Sequence, residues 1–244
     1  MKHPGDASLT QTHPTKRPIA ETPSEDDLRS LYPHPPGMIR LGMIAGTGGE
    51  ATGEDGSSRS LSGPVDLRIV RVLRAAADVV VVGAATALRE RYGAIKIREA
   101  LAAKRSPDQA PAPLLAVVGY SGSLPSGLGP KNSLFLTTAD APATSLVDEW
   151  GDSLVLVGHQ SVSPHLLVSA LADRGLPRIL CEGGPALARL LLDAGVVTDY
   201  CRTESPSPGD ENGPLTPEVP PGMSLTHTLQ SSGMTMNRWG AAAR

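Results

Sequence analysis

The residues best suited to chemistry lie in one stretch, Arg178-Ile-Leu-Cys-Glu-Gly-Gly-Pro-Ala-Leu-Ala-Arg-Leu-Leu-Leu-Asp-Ala-Gly195. A short apolar run, Ile179 to Cys181, ends in an acid and two glycines. Pro185 then opens a segment with Leu187, Leu190, Leu191 and Ala194 at helical spacing. Pro at the first helical position and Gly195 past the last are start and stop signals. The pattern is strand, glycine turn, helix, with a further strand after Val196. Gly183 and Gly184 carry no side chain, so a ligand can approach the backbone. The free N–H groups at the helix start favour a phosphate. A tight turn without a ligand fits the same residues.

Other chemistries lack their residues. Gly119-Tyr-Ser-Gly-Ser123 has serine where a nucleophile elbow needs its last glycine. Lys131 lies between Pro130 and Asn132, outside any phosphate-loop pattern. His159 and His165 are six apart in the sequence, not the four that would pair them on a helix face. The zinc-deaminase signature is absent. Gly46-Thr-Gly-Gly-Glu-Ala51 does match G-x-G-x-x-A, but a Rossmann turn must open a helix. The next residues, Thr52 to Ser60, form a Gly- and Ser-rich loop, so the match is read as a decoy.

The elements that must position the glycine turn can be read in order. Residues 1 to about 23 are polar and Pro-rich and read as a flexible arm. Ser24 to Asp27 forms a capping box opening a short helix before Pro33. We place an arm with this helix over 1–30 and one domain over 31–244. Met38 to Ala45 reads as a buried strand, and Val65 to Ala76 as a helix. Val79 to Val82 is a strand too uniformly apolar for a sheet with a wet face. Gly83 turns it into a second strand–glycine–helix unit running to Arg91, with Thr86 as a helix cap or a ligand contact. A helix over Ile95 to Lys104, strands at Leu114 to Val118, Leu134 to Thr138 and Leu154 to Gly158, and a helix from Pro164 to Asp173 complete the alternation. This is an α/β pattern with a mostly parallel central sheet flanked by helices. Prolines exclude a central strand over most of Thr203 to Pro221. Ser224 to Leu229 and Thr235 to Trp239 suit a C-terminal antiparallel hairpin.

Composition narrows the class. Of 244 residues, 40% are hydrophobic but only 3% aromatic, so Val, Leu, Ile and Ala must build the core. A net charge of −3 without a basic run argues against nucleic acid as a partner. Cys181 and Cys201 suit buried free thiols, and no metal site is expected. No apolar run is long enough for a membrane span, and the N-terminus has no apolar leader. The expectation is a cytoplasmic protein with a small-molecule substrate.

Glu182-Gly183-Gly184-Pro185 with its leucine-rich helix, together with Leu73-Arg-Ala-Ala-Ala-Asp-Val-Val-Val-Val-Gly-Ala-Ala-Thr86, resembles the reductase domain of the riboflavin-biosynthesis deaminase/reductase family. The resemblance runs from about Met38 to Tyr200 and covers the reductase half alone. It implies a dihydrofolate-reductase-like fold, a homodimer, and NADPH-dependent reduction of a ribosylaminopyrimidine phosphate. Ala45, Ser60, Gly83, Thr86, Glu90, Ser121, Gly183, Gly184, Pro185, Ala186 and Leu187 would then contact NADPH. Glu182 would act in catalysis and, with Ser58 and Arg68, hold substrate. Ser58 and Ser60 suit a plain solvated loop equally well.

Two departures stand out. Family members usually have an aspartate where this chain has Gly48, leaving Glu50, Glu54, Asp55 or Glu182 to replace it. Asp66 lies where an arginine often holds the substrate phosphate, with Arg68 and Arg71 nearby. A family member that binds NADP(H) but has lost catalysis is the alternative these departures raise.

Overall fold

The four valines at 79–82 split between two cores. Val80 and Val82 pack with Ile69, Val72 and Leu73 on one face of a sheet, while Val79 and Val81 pack with Leu167, Leu171, Leu187 and Leu191 on the other. A strand covered on both faces has no position where a polar side chain is tolerated, which explains the uniform run. The computed structural model describes residues 10–11, 23–120, 124–141 and 144–241.

The strands are β1 (Thr10–Gln11), β2 (Ile39–Ala45), β3 (Val79–Gly83), β4 (Leu114–Val118), β5 (Ser133–Thr137), β6 (Leu154–Leu156), β7 (Ile179–Cys181), β8 (Asp199–Glu204), β9 (Met223–Ser231) and β10 (Met234–Ala241). They form a 10-stranded sheet in the order β1-β9-β10-β8-β2-β7-β3-β4-β5-β6. Every pair from β8 across to β6 is parallel, and β8, β10, β9 and β1 pair antiparallel. The helices are α1 (Glu25–Leu31), α2 (Pro64–Ala76), α3 (Ala84–Arg89), α4 (Glu99–Ala102), α5 (Thr144–Trp150), α6 (Pro164–Ala172) and α7 (Pro185–Asp193). The expected α/β architecture and C-terminal hairpin are both present, the hairpin longer than its sequence pattern and bulged between Arg238 and Trp239.

Local signals are reliable where they are strong. Ser24 and Asp27 form the capping box, Asp27 N–H to Ser24 Oγ at 3.1 Å and Ser24 N–H to Asp27 Oδ2 at 2.8 Å. After β2 no helix opens. Residues 46–53 are instead laced to 205–216, with Ala51 N–H on the Pro214 carbonyl and Thr216 N–H on the Gly49 carbonyl. One expected helix needs correction, and one helix is additional to those expected. Only Glu99–Ala102 of the expected Ile95 to Lys104 helix is helical, because the preceding residues are drawn along a cleft at the ends of the parallel strands. Helix α5 carries no clear periodicity; Trp150 anchors it against Phe135, with ring centroids 5.6 Å apart.

One buried ion network ties the N-terminal helix to the sheet. Asp199 on β8 accepts from Arg40 Nε on β2 at 2.5 Å and from Arg238 Nε on β10 at 2.7 Å. The two guanidiniums also donate to the Leu31, Tyr32 and Pro33 carbonyls, at and just past the C-terminal end of α1. Burial would raise the Asp199 carboxyl, but Arg40 and Arg238 outweigh it and hold it below the usual carboxylate range. We therefore expect Asp199→Asn to lower stability by about 3–5 kcal/mol, since it strands buried cations. In the unmutated protein this contribution is present above about pH 4 and is lost as pH falls through the lowered folded value. Urea midpoints of the two proteins measured from neutral to acid pH should converge; a constant gap would contradict the network's role.

Candidate active site

The parallel strands all end on one side of the sheet, where open α/β sheets bind their ligands. There β7 stops at Cys181 and the chain turns through Glu182, Gly183 and Gly184 into α7. Gly183 has φ 93°, a conformation that favours glycine, and the Gly183–Gly184 peptide is cis. Gly184 itself is at φ −65°, so the left-handed residue is its neighbour.

The two strand–glycine–helix units are joined directly. Gly83 N–H donates to the Gly183 carbonyl at 2.8 Å, and Gly184 N–H donates to Thr86 Oγ1 at 2.9 Å. A Cβ built on Gly184 would collide with that hydroxyl. No side chain caps α7 and no acid lies in its first turn. Its first free N–H groups, on Ala186 and Leu187, have no partner among the described residues. This is a donor set suited to a phosphate or pyrophosphate.

Beside the turn lies a cleft of about 500 Å³. Glu182 sits in its wall, bound by Arg74 Nε at 2.7 Å, Arg74 Nη2 at 2.6 Å and Tyr92 Oη at 2.8 Å. Arg74 also stacks over the Tyr92 ring, 5.7 Å from its centroid. Burial, then the Glu182 charge, pushes the Tyr92 hydroxyl well up, so it remains a donor. Three of roughly four acceptor sites on Glu182 are thus filled. Glu90 is similarly engaged: it accepts from Ser58 N–H at 2.7 Å and the Ser57 hydroxyl at 2.8 Å, with Arg59 3.7 Å away. It shapes the turn over Ser58–Ser60.

The structure brings Ser58, Thr86, Glu90, Glu182, Gly184 and Pro185 to the cleft. Gly83 and Gly183 meet beneath the turn, Ala186 and Leu187 form the first turn of α7, and Ala45 is buried at the end of β2. Ser60 faces Asp55 instead, at 2.8 Å. Arg68 is not brought to the cleft: its guanidinium donates to the Pro23 carbonyl on another side of α2. Ser121 lies outside the described residues. Gly48 does not line the cleft either, and its N–H is taken by Glu50 Oε2 at 3.0 Å.

Sequence reasoning misses Val70 and Arg74, which share the cleft-facing stripe of α2 with Asp66, although their spacing of four is a legible signal. Arg89, Arg91 and Lys96 also line the cleft, with no ion pair or side-chain hydrogen bond among the described residues. Tyr92, alone in a loop, gives no signal.

No curated protein sequence matches the chain significantly. Its fold is similar to that of a pyrimidine reductase-like protein from Corynebacterium diphtheriae, at 23% identity and TM-score 0.70, over 86% of this chain and 93% of that one. It is also similar to a riboflavin biosynthesis reductase from Saccharomyces cerevisiae, at 13% identity and TM-score 0.59, over 85% and 90%. A diaminohydroxyphosphoribosylaminopyrimidine deaminase/5-amino-6-(5-phosphoribosylamino)uracil reductase from Thermotoga maritima matches at 15% identity and TM-score 0.59, over 85% of this chain but 57% of its own. The sequence from residue 38 to 208 matches the RibD C-terminal domain, and the chain belongs to that family.

Proposed function

We propose that this chain is an NADPH-dependent reductase of a ribosylaminopyrimidine phosphate, acting as a cytoplasmic homodimer. Family membership supports an oxidoreductase of the riboflavin pathway. The observation that carries the finer reading is the pair of hydrogen bonds coupling Gly83 and Thr86 to Gly183 and Gly184, which sets an uncapped helix start against the cleft.

In this reading the free N–H groups of α7 hold the cofactor pyrophosphate, with Gly83, Thr86, Gly183, Gly184 and Pro185 as its cradle. Arg89 is the candidate for the 2′-phosphate that distinguishes NADPH from NADH. Bound NADPH supplies the reducing equivalent; the chain supplies orientation and charge. Arg91 and Lys96 are uncompensated cations suited to an anionic substrate. Glu182, ion-paired with Arg74, faces the substrate as a positioned acceptor and not as a proton donor. Ser58, ordered through Glu90, is a substrate contact.

The second reading, cofactor binding without catalysis, is the one that the Gly48 and Asp66 departures motivate. Adding the ribosylaminopyrimidine phosphate to protein and NADPH separates the two. Substrate-dependent oxidation of the cofactor supports the reductase, and tight NADPH binding without oxidation supports the second reading.

Two variants probe the cofactor half. Arg89→Ala should weaken NADPH binding about tenfold, the scale of one charge-assisted contact, and leave NADH unchanged. Equal losses for both cofactors in calorimetric titration would remove Arg89 from the 2′-phosphate site. Gly184→Val should abolish NADPH binding while its far-UV spectrum stays native, because the added carbons collide with Thr86 beside the phosphate position. Normal affinity in this variant would make the turn purely structural.

A further inference from the structure

Behind the cleft, three glycines from two distant segments surround one side chain. Gly46, Gly48 and Gly209 have no positive φ, so the backbone does not call for glycine at any of them. What excludes a side chain there is Glu50. A Cβ built on Gly48 would overlap the Glu50 carboxylate, and its nearest neighbours all belong to that residue. A Cβ on Gly46 would lie 2.6 Å from Glu50 Oε2, and one on Gly209 would overlap Glu50 Cβ. The facing backbone adds to the exclusion at 46 and 209, but at 48 Glu50 alone accounts for it. The enclosed side chain is half-buried, has no ion pair among the described residues and accepts the Gly48 N–H at 3.0 Å.

The backbone of Glu50 is held by the same two segments. Its carbonyl accepts from Gly46 N–H at 2.8 Å, and the residue bridges antiparallel to Leu215. On either side, Thr216 N–H donates to the Gly49 carbonyl at 2.9 Å and Ala51 N–H to the Pro214 carbonyl at 2.8 Å. Asp210 N–H then reaches the Thr52 carbonyl at 2.9 Å, and Gly53 N–H the Ser57 carbonyl at 2.9 Å. Neither Glu50 nor any residue of 205–216 lines the cleft, but Ala51, Thr52 and Ser58 do. This wall is therefore held from behind. A side chain fitted into space that three glycines vacate fixes the gap between the segments, because packed groups shift when even one carbon is added or removed.

We propose that Glu50 is a positioning residue for the cleft, seated among Gly46, Gly48 and Gly209 and setting the wall that Ala51, Thr52 and Ser58 form. It spaces the loop after β2 from the 205–216 segment, and that spacing fixes where Ser58 N–H meets Glu90, at 2.7 Å. Its consequence for the reaction rests on the reductase reading, in which Ser58 contacts substrate. The positioning itself can be read without turnover.

The Ser58 amide resonance of the labelled full chain reports the wall, since its shift follows the hydrogen bond to the Glu90 carboxylate. Glu50→Ala empties the enclosure and should move that resonance. Gly48→Ala displaces the carboxylate while leaving Glu50 in the chain, and should move it alike. The double variant should move it no further than either one, as for residues that act through one contact. Glu50→Gln keeps the shape and an acceptor oxygen and should leave the resonance in place. A merely structural Glu50 predicts a lower melting temperature with the Ser58 resonance unmoved. That result, additive shifts in the double variant, or Glu50→Gln behaving as Glu50→Ala overturns the proposal. Should Glu50→Ala fail to fold, Gly48→Ala against the unmutated protein decides by the same resonance.

In turnover with NADPH, Glu50→Ala should raise KM for the ribosylaminopyrimidine phosphate about tenfold, the scale of one weakened hydrogen bond. It should leave kcat nearly unchanged, the signature of lost binding contacts. A KM equal to that of the unmutated protein overturns the proposal. If the unmutated protein turns nothing over, the reductase function fails, and the Ser58 resonance alone decides whether Glu50 positions the wall.

Discussion

Between the ends of β3 and β7 two hydrogen bonds run in opposite directions, Gly83 N–H to the Gly183 carbonyl and Gly184 N–H to the Thr86 hydroxyl. They turn two separate strand–glycine–helix units into one rigid surface. A side chain at 184 would collide with Thr86, and loss of the Thr86 hydroxyl would leave the Gly184 N–H without its acceptor. The start of α7, with its unpaired N–H groups, is fixed in place by this exchange. Everything assigned to the cofactor depends on that placement.

Charge around the cleft is ordered by pairing. Glu182 draws in Arg74 and Tyr92, which pins the chain after α3, and Glu90 folds the 57–59 turn over the same opening. These acids hold walls together, and a bidentate arginine leaves little acceptor capacity for proton chemistry. The cleft-lining charges left unpaired among the described residues are one buried acid, Asp66, and the cations Arg89, Arg91 and Lys96.

The parts of the fold that local physics decides are legible in the sequence. Pro185 and Gly195 bracket α7, Ser24 and Asp27 cap α1, and the valines of β3 announce a sheet covered on both faces. The glycine-rich segment after β2 can be told from a Rossmann turn because no helical period succeeds it. Less can be read of the site. Arg74 and Glu182 are 108 residues apart and Arg40 and Asp199 are 159 apart, so neither pair leaves a local mark. Arg68 and Arg74 are indistinguishable by type; only the helical phase, set by what α2 packs against, sends one to Pro23 and the other to the cleft. The helix expected over Ile95 to Lys104 fails for a similar reason, since its apolar spacing suits a helix until Tyr92 is drawn to Glu182.

If the coupled glycine turn receives the cofactor, both of its strands must sense NADPH at once. Amide chemical shifts of the labelled protein, followed during titration with NADPH, test this directly. The largest changes are predicted on Gly83 to Thr86 and on Gly183 to Leu187, with the β9–β10 hairpin unmoved. Shifts centred elsewhere, or a saturating titration that leaves both glycine units unchanged, would contradict it.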